Sequence, residues 1–506
     1  MAGIKSLAKD TVIYGSSSII GKFLNWLLVP YYVRVLARIA DYGIVTNIYG
    51  YTALLTVLLT YGMETGFFRF ANKKEEDPTK VYSTTMLSVG LSSILFVLLF
   101  FWFLNPISSA MGYAGFEEYL GIMFTTVAVD AFMSIPFAYL RYKNRPIRFA
   151  AIKMLFVFMN IVFNIFFLSI CPIIYKHHPE LISWFYRPDY GVGYIFWSNL
   201  LATCTQFLFL LPEIRAARFQ LDFNLLKRIL KYSLPLLVLG LAGIMNQTID
   251  KIIFPFLYNG TFEEGQTQLG IYGACFKIAV VMVMFTQAFR FAYEPFFFAN
   301  NKNRDDRQVY ADVMKYFIIF SLIIFLCVMF YMDLIKRFVT PEYYDGIRVV
   351  PIVMIGMLFF GIYFNLSLWY KLTDETKWGA YFSTIGFVIM VAVMVIFVPH
   401  YGYMAAAWGS FIAYLITMLL SYFIGQKKYP IKYDLKTIGL HFALALILYA
   451  VSLLVHFEHT GMRLGFNTLL LIIYLFVVIK RDLPLSQIPY LSKLITPKSP
   501  KGDFGE

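Results

Sequence analysis

Nine ionisable side chains stand inside stretches otherwise apolar enough to be buried in lipid. Five are basic: Lys22, Lys153, Lys251, Lys277 and Arg290. Four are acidic, two of them at the rims of their stretches: Glu64, Asp130, Asp250 and Glu294. A charge at mid-bilayer costs about 2.5–3.5 kcal/mol even on the lenient insertion scale, so such groups turn toward a bundle interior or a water-filled cavity. There they can bind a polar substrate, hold a coupling cation, form a gate, or neutralise one another.

Spacing sorts some of them. Gln287, Arg290 and Glu294 are three and four residues apart and share a helix face at about 100° per residue. Asn246 stacks on Asp250, and Gln247 on Lys251, at i, i+4. One polar stripe on each of two successive helices predicts a wet cavity lined by them. A plainer reading stands beside this one. Lys153, Lys251 and Glu294 lie near stretch ends, where a side chain can reach the interface. The adjacent Asp250 and Lys251 can pair and cancel, and Asp130 can serve as an interhelical hydrogen bond.

Other chemistry has less footing. Cys171, Cys204, Cys275 and Cys327 sit in apolar stretches without paired spacing and read as small apolar fillers. The six histidines show no metal-ligand spacing. No glycine-rich phosphate loop is present, so nucleotide hydrolysis is not expected of this chain. Asn259-Gly-Thr261 fits the glycosylation acceptor pattern, which is common by chance.

The elements that carry the charges follow from composition. Of 506 residues, 59% are hydrophobic and 14% charged, against about 25% charged in soluble domains. Phenylalanine (52) outnumbers lysine plus arginine (43). Such a chain cannot cover itself with charge in water, which excludes soluble enzymes and nucleic-acid binders. A hydrocarbon core about 30 Å thick needs about 20 apolar residues in a helix. By that criterion the chain holds fourteen spans, the first over about 11–33 and the last over about 464–479. With the N-terminus placed inside, 30 basic residues fall in inside segments and 8 in outside ones. The positive-inside rule therefore predicts that both termini are cytoplasmic. The +13 net charge then reads as loop topology rather than a polyanion site.

An internal repeat organises the spans. Glu64-Thr-Gly-Phe67-Phe68 matches Glu294-Pro-Phe-Phe297-Phe298, and Leu140-Arg-Tyr142-Lys143 matches Leu368-Trp-Tyr370-Lys371. Tyr190-Gly191, followed by Trp197 and Ala202, matches Tyr401-Gly402, followed by Trp408 and Ala413. The matches fall in spans two, four and six of each half. The expected architecture is an all-α polytopic membrane protein with two pseudo-symmetric six-helix lobes, 1–212 and 233–426. A basic linker at 213–232 contains an interfacial amphipathic helix. Spans thirteen and fourteen follow at 427–480 and a cytoplasmic tail at 481–506. Parallel six-span repeats are a transporter arrangement.

Three stretches carry a family resemblance: 226–237 (LKRILKYSLPLL), 270–278 (GIYGACFKI) and 401–408 (YGYMAAAW). With the fourteen-span plan, the chain resembles the multidrug/oligosaccharidyl-lipid/polysaccharide (MOP) exporter superfamily, MATE-like in fold, and its polysaccharide flippase branch in particular. The resemblance implies a transporter of the bacterial inner membrane. It would flip polyprenyl-pyrophosphate-linked oligosaccharide for O-antigen or capsule-type synthesis, by alternating access between the lobes. It further implies that cavity lysines hold the pyrophosphate: Lys277 first, Lys22 next, with Arg290 and Lys251 in the same basic set. Lysine suits a phosphate that must later be released. Glu64, Asp130, Asp250 and Glu294 are then expected in gating or ion coupling. No cofactor or metal is implied, and a proton or sodium gradient is the expected drive. Lipid-linked oligosaccharide, membrane lipid and polysaccharide polymerase machinery are the expected partners, with no nucleic acid. Three alternatives remain: a cation-coupled multidrug or metabolite exporter using Asp130, a lipid II flippase, and a membrane-embedded glycan-modifying enzyme. The last is disfavoured by the short loops.

Overall fold

The computed structural model describes the backbone of residues 19–300, 307–373 and 375–482, and the side chains of these except 292–300. Thirteen helices in it are long and apolar enough to cross a membrane. They are α2 (Ile39–Ala71), α3 (Pro78–Trp102), α4 (Glu117–Tyr142), α5 (Pro146–His177), α6 (Val192–Arg215), α7 (Phe223–Leu257), α8 (Phe262–Asn300), α9 (Arg307–Phe330), α10 (Pro341–Leu372), α11 (Lys377–Tyr401), α12 (Tyr403–Lys428), α13 (Leu435–Leu454) and α14 (Thr460–Arg481). Helix α1 (19–35), turned at Leu27, is the described part of the first expected span. No strand occurs among the described residues. The chain is an all-α polytopic membrane protein. Leucine, isoleucine and phenylalanine remain exposed along α3 (Leu91, Ile94, Leu95, Leu98), as a lipid-facing helix requires.

The repeat leaves a backbone signature. Gly191 (φ 39°, ψ −99°) opens α6, and Gly402 (φ 53°, ψ −136°) opens α12. Both conformations are nearly closed to residues with a Cβ, so the matched Tyr-Gly pairs are matched turns.

Three local features depart from the expected plan. First, the expected interfacial helix of the linker is not separate from the span. Helix α7 runs unbroken for 35 residues, about 52 Å at 1.5 Å per residue. The Asp222 carboxylate accepts from the Leu225 N–H at 2.9 Å and caps it. Leu225 and Ile229 are buried with Phe67, Tyr82 and Leu140, which holds the first turns in line with the rest. Second, α2 is interrupted at Tyr61 and Gly62, both left-handed, so Glu64 begins a short helix of its own, Met63–Ala71. Third, α5 contains a π-helical turn, Phe166–Ile170.

The helices form two compact units. One contains α1–α8 and α10–α12; the other contains α9, α13 and α14. Counting by the repeat puts α9 with its sequence neighbours, whereas its contacts put it with the last two helices. Phe325 packs on Tyr449 at 5.4 Å between ring centroids. The Asn467 amide donates to the Phe330 carbonyl at 2.8 Å. Within this unit His441, fully buried, meets the Asp482 carboxylate at 2.8 Å.

Candidate binding cavities

Among its described residues the first unit has a polar cavity toward each end of α2 and α7. The upper one, toward the α1–α2 and α7–α8 connections, has a volume of about 300 Å3. Its polar lining includes Asn25, Tyr49, Asn160, Asn199, Lys251 and Lys277. The lower one, toward the α2–α3 and α6–α7 connections, has about 680 Å3 and is lined by Glu64, Asp130, Arg141, Lys153 and Gln206 among others.

Beside the upper cavity, glycines let two helices come into close contact. Helices α2 and α8 approach so closely that a Cβ on Gly43 would stand 1.8 Å from the Gln266 carbonyl oxygen. One on Gly270 would stand 2.3 Å from the Ile39 carbonyl. A buried clasp reinforces this contact. Gln266 donates to the Tyr113 hydroxyl at 3.0 Å, Tyr113 donates to Asn47 Oδ1 at 2.7 Å, and Asn47 donates to the Lys251 carbonyl at 2.6 Å. The Trp26 indole donates to the Lys277 carbonyl at 2.6 Å, tying α1 to α8.

The two upper lysines differ. Lys251 Nζ lies 2.9 Å from both oxygens of Asp250, and the Tyr272 hydroxyl donates to the same carboxylate at 2.9 Å. Asp250 is 2% exposed, lines neither cavity and is ion-paired with Lys251. Lys277 has no hydrogen bond or ion pair with a carboxylate among the described residues. The charge acting on it is the Lys251 ammonium. The stripe expected on α7 therefore divides: Lys251 and Thr248 face the cavity, while Asn246 donates to the Ser383 carbonyl of α11 at 3.2 Å.

In the lower cavity Glu64 forms an ion pair with Arg141, whose guanidinium lies over the rings of Phe68 and Phe149. Lys153 Nζ stands 3.9 Å from the Phe137 ring centroid, within the field of both Asp130 and Glu64. Thr203 donates to Asp130 at 3.5 Å. Counting by loops puts Arg141 among the cytoplasmic residues. The helix puts it eleven residues from Asp130, about three turns, and so on the same face. That spacing was the available signal.

The remaining expected site residues lie elsewhere. Lys22 of α1 donates to Gln287 of α8 at 2.6 Å and feels the Arg290 charge. Arg290 stacks over Phe364 at 4.5 Å. Gln287 and Arg290 thus share a face as their spacing predicted, but neither Lys22 nor Arg290 belongs to the lining of the two cavities. Glu294 lies outside the residues whose side chains are described. No cluster of three or more His, Cys, Asp or Glu side chains fit to hold a metal occurs among the described residues.

A family model described as polysaccharide biosynthesis protein matches residues 7–300. The chain belongs to that family. A MatE model also matches, over residues 253–396. Among solved structures, the family member resembles the lipid II flippase MurJ in an inward closed conformation, at TM-score 0.68 and 15% identity, covering 91% of this chain and 98% of that one. An inward-facing multidrug resistance MATE transporter of the MOP superfamily aligns at TM-score 0.59 and 14% identity, over 83% and 93%. A MOP superfamily transporter from Pyrococcus furiosus, titled for the reverse polarity of its binding pocket, aligns at 0.56 and 16%, over 83% and 95%. No curated protein matches. This polysaccharide biosynthesis protein is therefore a multi-pass membrane protein of the MOP exporter superfamily, with a MATE- and MurJ-like fold.

Proposed function

We propose that the chain flips polyprenyl-pyrophosphate-linked oligosaccharide from the cytoplasmic to the outer leaflet of a bacterial inner membrane. The observation that carries this reading is Lys277: an ammonium on the lining of the upper polar cavity, with no carboxylate paired to it among the described residues. An uncompensated cation in low dielectric favours an anionic guest. A diphosphate with its sugars is such a guest, while the prenyl chain stays in the lipid. The asparagines and Tyr49 of the same lining supply neutral donors and acceptors for sugar hydroxyls.

The glycine-tight contact of α2 with α8 is the outer gate of an inward-oriented resting state, with both termini in the cytoplasm. The headgroup enters at the lower cavity, rises to Lys277, and leaves when the lobes rock and part α2 from α8. An ion gradient supplies the drive, at about 2.3 kcal/mol for each charge crossing 100 mV. Delivery to a polymerase on the outer side completes the cycle. An exporter of cationic drugs would need an uncompensated acid in its cavity. Among the described lining residues, each acid stands beside a cation.

The test is leaflet-resolved measurement of lipid-linked oligosaccharide in a strain lacking the gene, restored with wild type or Lys277→Ala. Glycan trapped inside in both the deletion and the Lys277→Ala strain, and outside with wild type, supports the proposal. Normal outer-leaflet glycan in the deletion strain, with trapped lipid II instead, would redirect the substrate to the peptidoglycan precursor.

A further inference from the structure

We propose that the first turns of α7 present a binding face for an anionic phospholipid, in the leaflet beside the α6–α7 connection. At about 100° per residue, Phe223, Lys227, Lys231, Leu234 and Val238 fall within an arc of about 80°. All five are exposed, Phe223 at 74%, Leu234 at 49% and Val238 at 65%. The opposite arc carries Leu225, Ile229 and Ser233, all buried. One face of this stretch is therefore packed on protein, and the other is open among the described residues.

Along the open face the chemistry changes once. Lys227 and Lys231 stand one turn apart, with about 6 Å between their Cβ atoms. Leu234 and Val238 carry the same face about 10 Å deeper along the axis. A phospholipid changes from phosphate to hydrocarbon in that order. Charge picks the kind of phospholipid. Arg228, on the neighbouring face, is ion-paired with Glu76, whereas Lys227 and Lys231 have no ion pair among the described residues. Lysine can rest its methylene stem on the apolar surface and hold its ammonium at the phosphate level. A soluble anion would meet the lysines and leave Leu234 and Val238 uncovered. A zwitterionic lipid would bring a cation of its own against them. An anionic phospholipid satisfies both halves of the face.

The packed face gives such a lipid an effect on the cavity. A Cβ on Gly66 would stand 2.5 Å from Ser233 Oγ, and one on Gly62 would stand 2.8 Å from the Ser233 carbonyl oxygen. Helix α7 thus sits directly on the break in α2. Leu236, Leu237 and Gly240, just beyond, wall the lower cavity. A lipid held on the open face sets the depth and tilt of the helix whose other side forms that wall, so the anionic lipid content of the membrane acts on the cavity. This holds whatever guest the cavity takes.

The test is native mass spectrometry of the detergent-solubilised full chain, offered equal amounts of phosphatidylglycerol and phosphatidylcholine. Each lysine is worth roughly fivefold in affinity near an anionic lipid surface, or about 30-fold for the pair. Wild type should retain phosphatidylglycerol with about that preference, and rising ammonium acetate should weaken it. Lys227→Gln combined with Lys231→Gln should abolish the preference without lowering the melting temperature in phosphatidylcholine, since both side chains are exposed. Arg228→Gln should keep it, because Glu76 already meets that charge. A preference that survives in the double variant, or that ignores salt in wild type, would overturn the proposal. So would an equal loss in Arg228→Gln, which would assign the effect to net charge rather than to this face. Loss of prenyl diphosphate binding in the double variant, with phosphatidylglycerol binding intact, would overturn it too and give the face to a lipid diphosphate.

Discussion

In the upper cavity Lys277 lines the wall with no acid beside it among the described residues, whereas in the lower cavity Glu64, Arg141, Asp130 and Lys153 balance two charges against two. Both cavities lie between α2 and α7 and draw on the same helices. The difference lies in where carboxylates fall along those helices. Asp250 directly precedes Lys251 and cancels it, while no carboxylate among the described residues does so for Lys277. Counting buried charges, five basic against four acidic, suggests near neutrality everywhere. Locating them divides the site into a place that attracts an anion and a place whose charges balance.

The largest effect expected is on stability and sets one ion pair against the other. Lys251→Met leaves the Asp250 carboxylate, 2% exposed, without its cation, at a cost of about 3–5 kcal/mol. Arg141→Met strands Glu64, whose side chain is 42% exposed, at about 1 kcal/mol or less. Melting temperature and membrane abundance should separate the two variants, and Asp250→Asn combined with Lys251→Met should recover most of the first loss. Equal losses at the two sites would mean that the pairs do not differ as their burial says.

The next effect is on binding rather than folding. Lys277→Ala removes charge-assisted contacts of about 1.5–3 kcal/mol, or roughly 10- to 100-fold in affinity for a lipid pyrophosphate. Abundance and melting temperature should stay as in wild type, and Lys277→Arg should retain part of the activity. Activity lost together with stability would make Lys277 a packing residue.

A smaller effect tests the repeat that builds both cavities. Gly191→Ala meets no atom within 4 Å and costs only the strained conformation, of order 1–3 kcal/mol. Gly402→Ala adds a contact 2.9 Å from Gln268 Oε1 and should cost more. Thermal melts of the two variants measure the gap.

The smallest is a pH effect at the entrance to α7. The Lys80 ammonium, with the Leu225 amide second, holds the Asp222 carboxyl below its ordinary range. Its contribution is therefore present above the ordinary carboxylate value and fades as pH falls through the lowered one. Acid titration of melting temperature should fall less steeply in Asp222→Ala than in wild type, from a lower neutral-pH start. Parallel curves would assign the cap no electrostatic share.

Much of this was legible before any coordinates. Apolar stretches of span length set the helices, because in lipid every backbone group must bond within its own helix. The Tyr-Gly repeats were readable because a left-handed or otherwise strained turn tolerates little but glycine. The pairing of neighbours Asp250 and Lys251 was one of the open readings. The merging of linker and span into one α7 was not legible, since it depends on Leu225 and Ile229 finding a buried seat beside Phe67 and Tyr82. Nor was the place of Arg141, which loop counting assigned to water and which the break at Tyr61–Gly62 brings against Glu64.

The sequence by itself determined that the chain spans a membrane many times and which charges the lipid would not tolerate, because those are properties of composition and of one helix at a time. Only the tertiary structure decided which of those charges cancel. Compensation depends on ångström distances between helices far apart in the chain, as Glu64 paired with Arg141 across 77 residues makes plain.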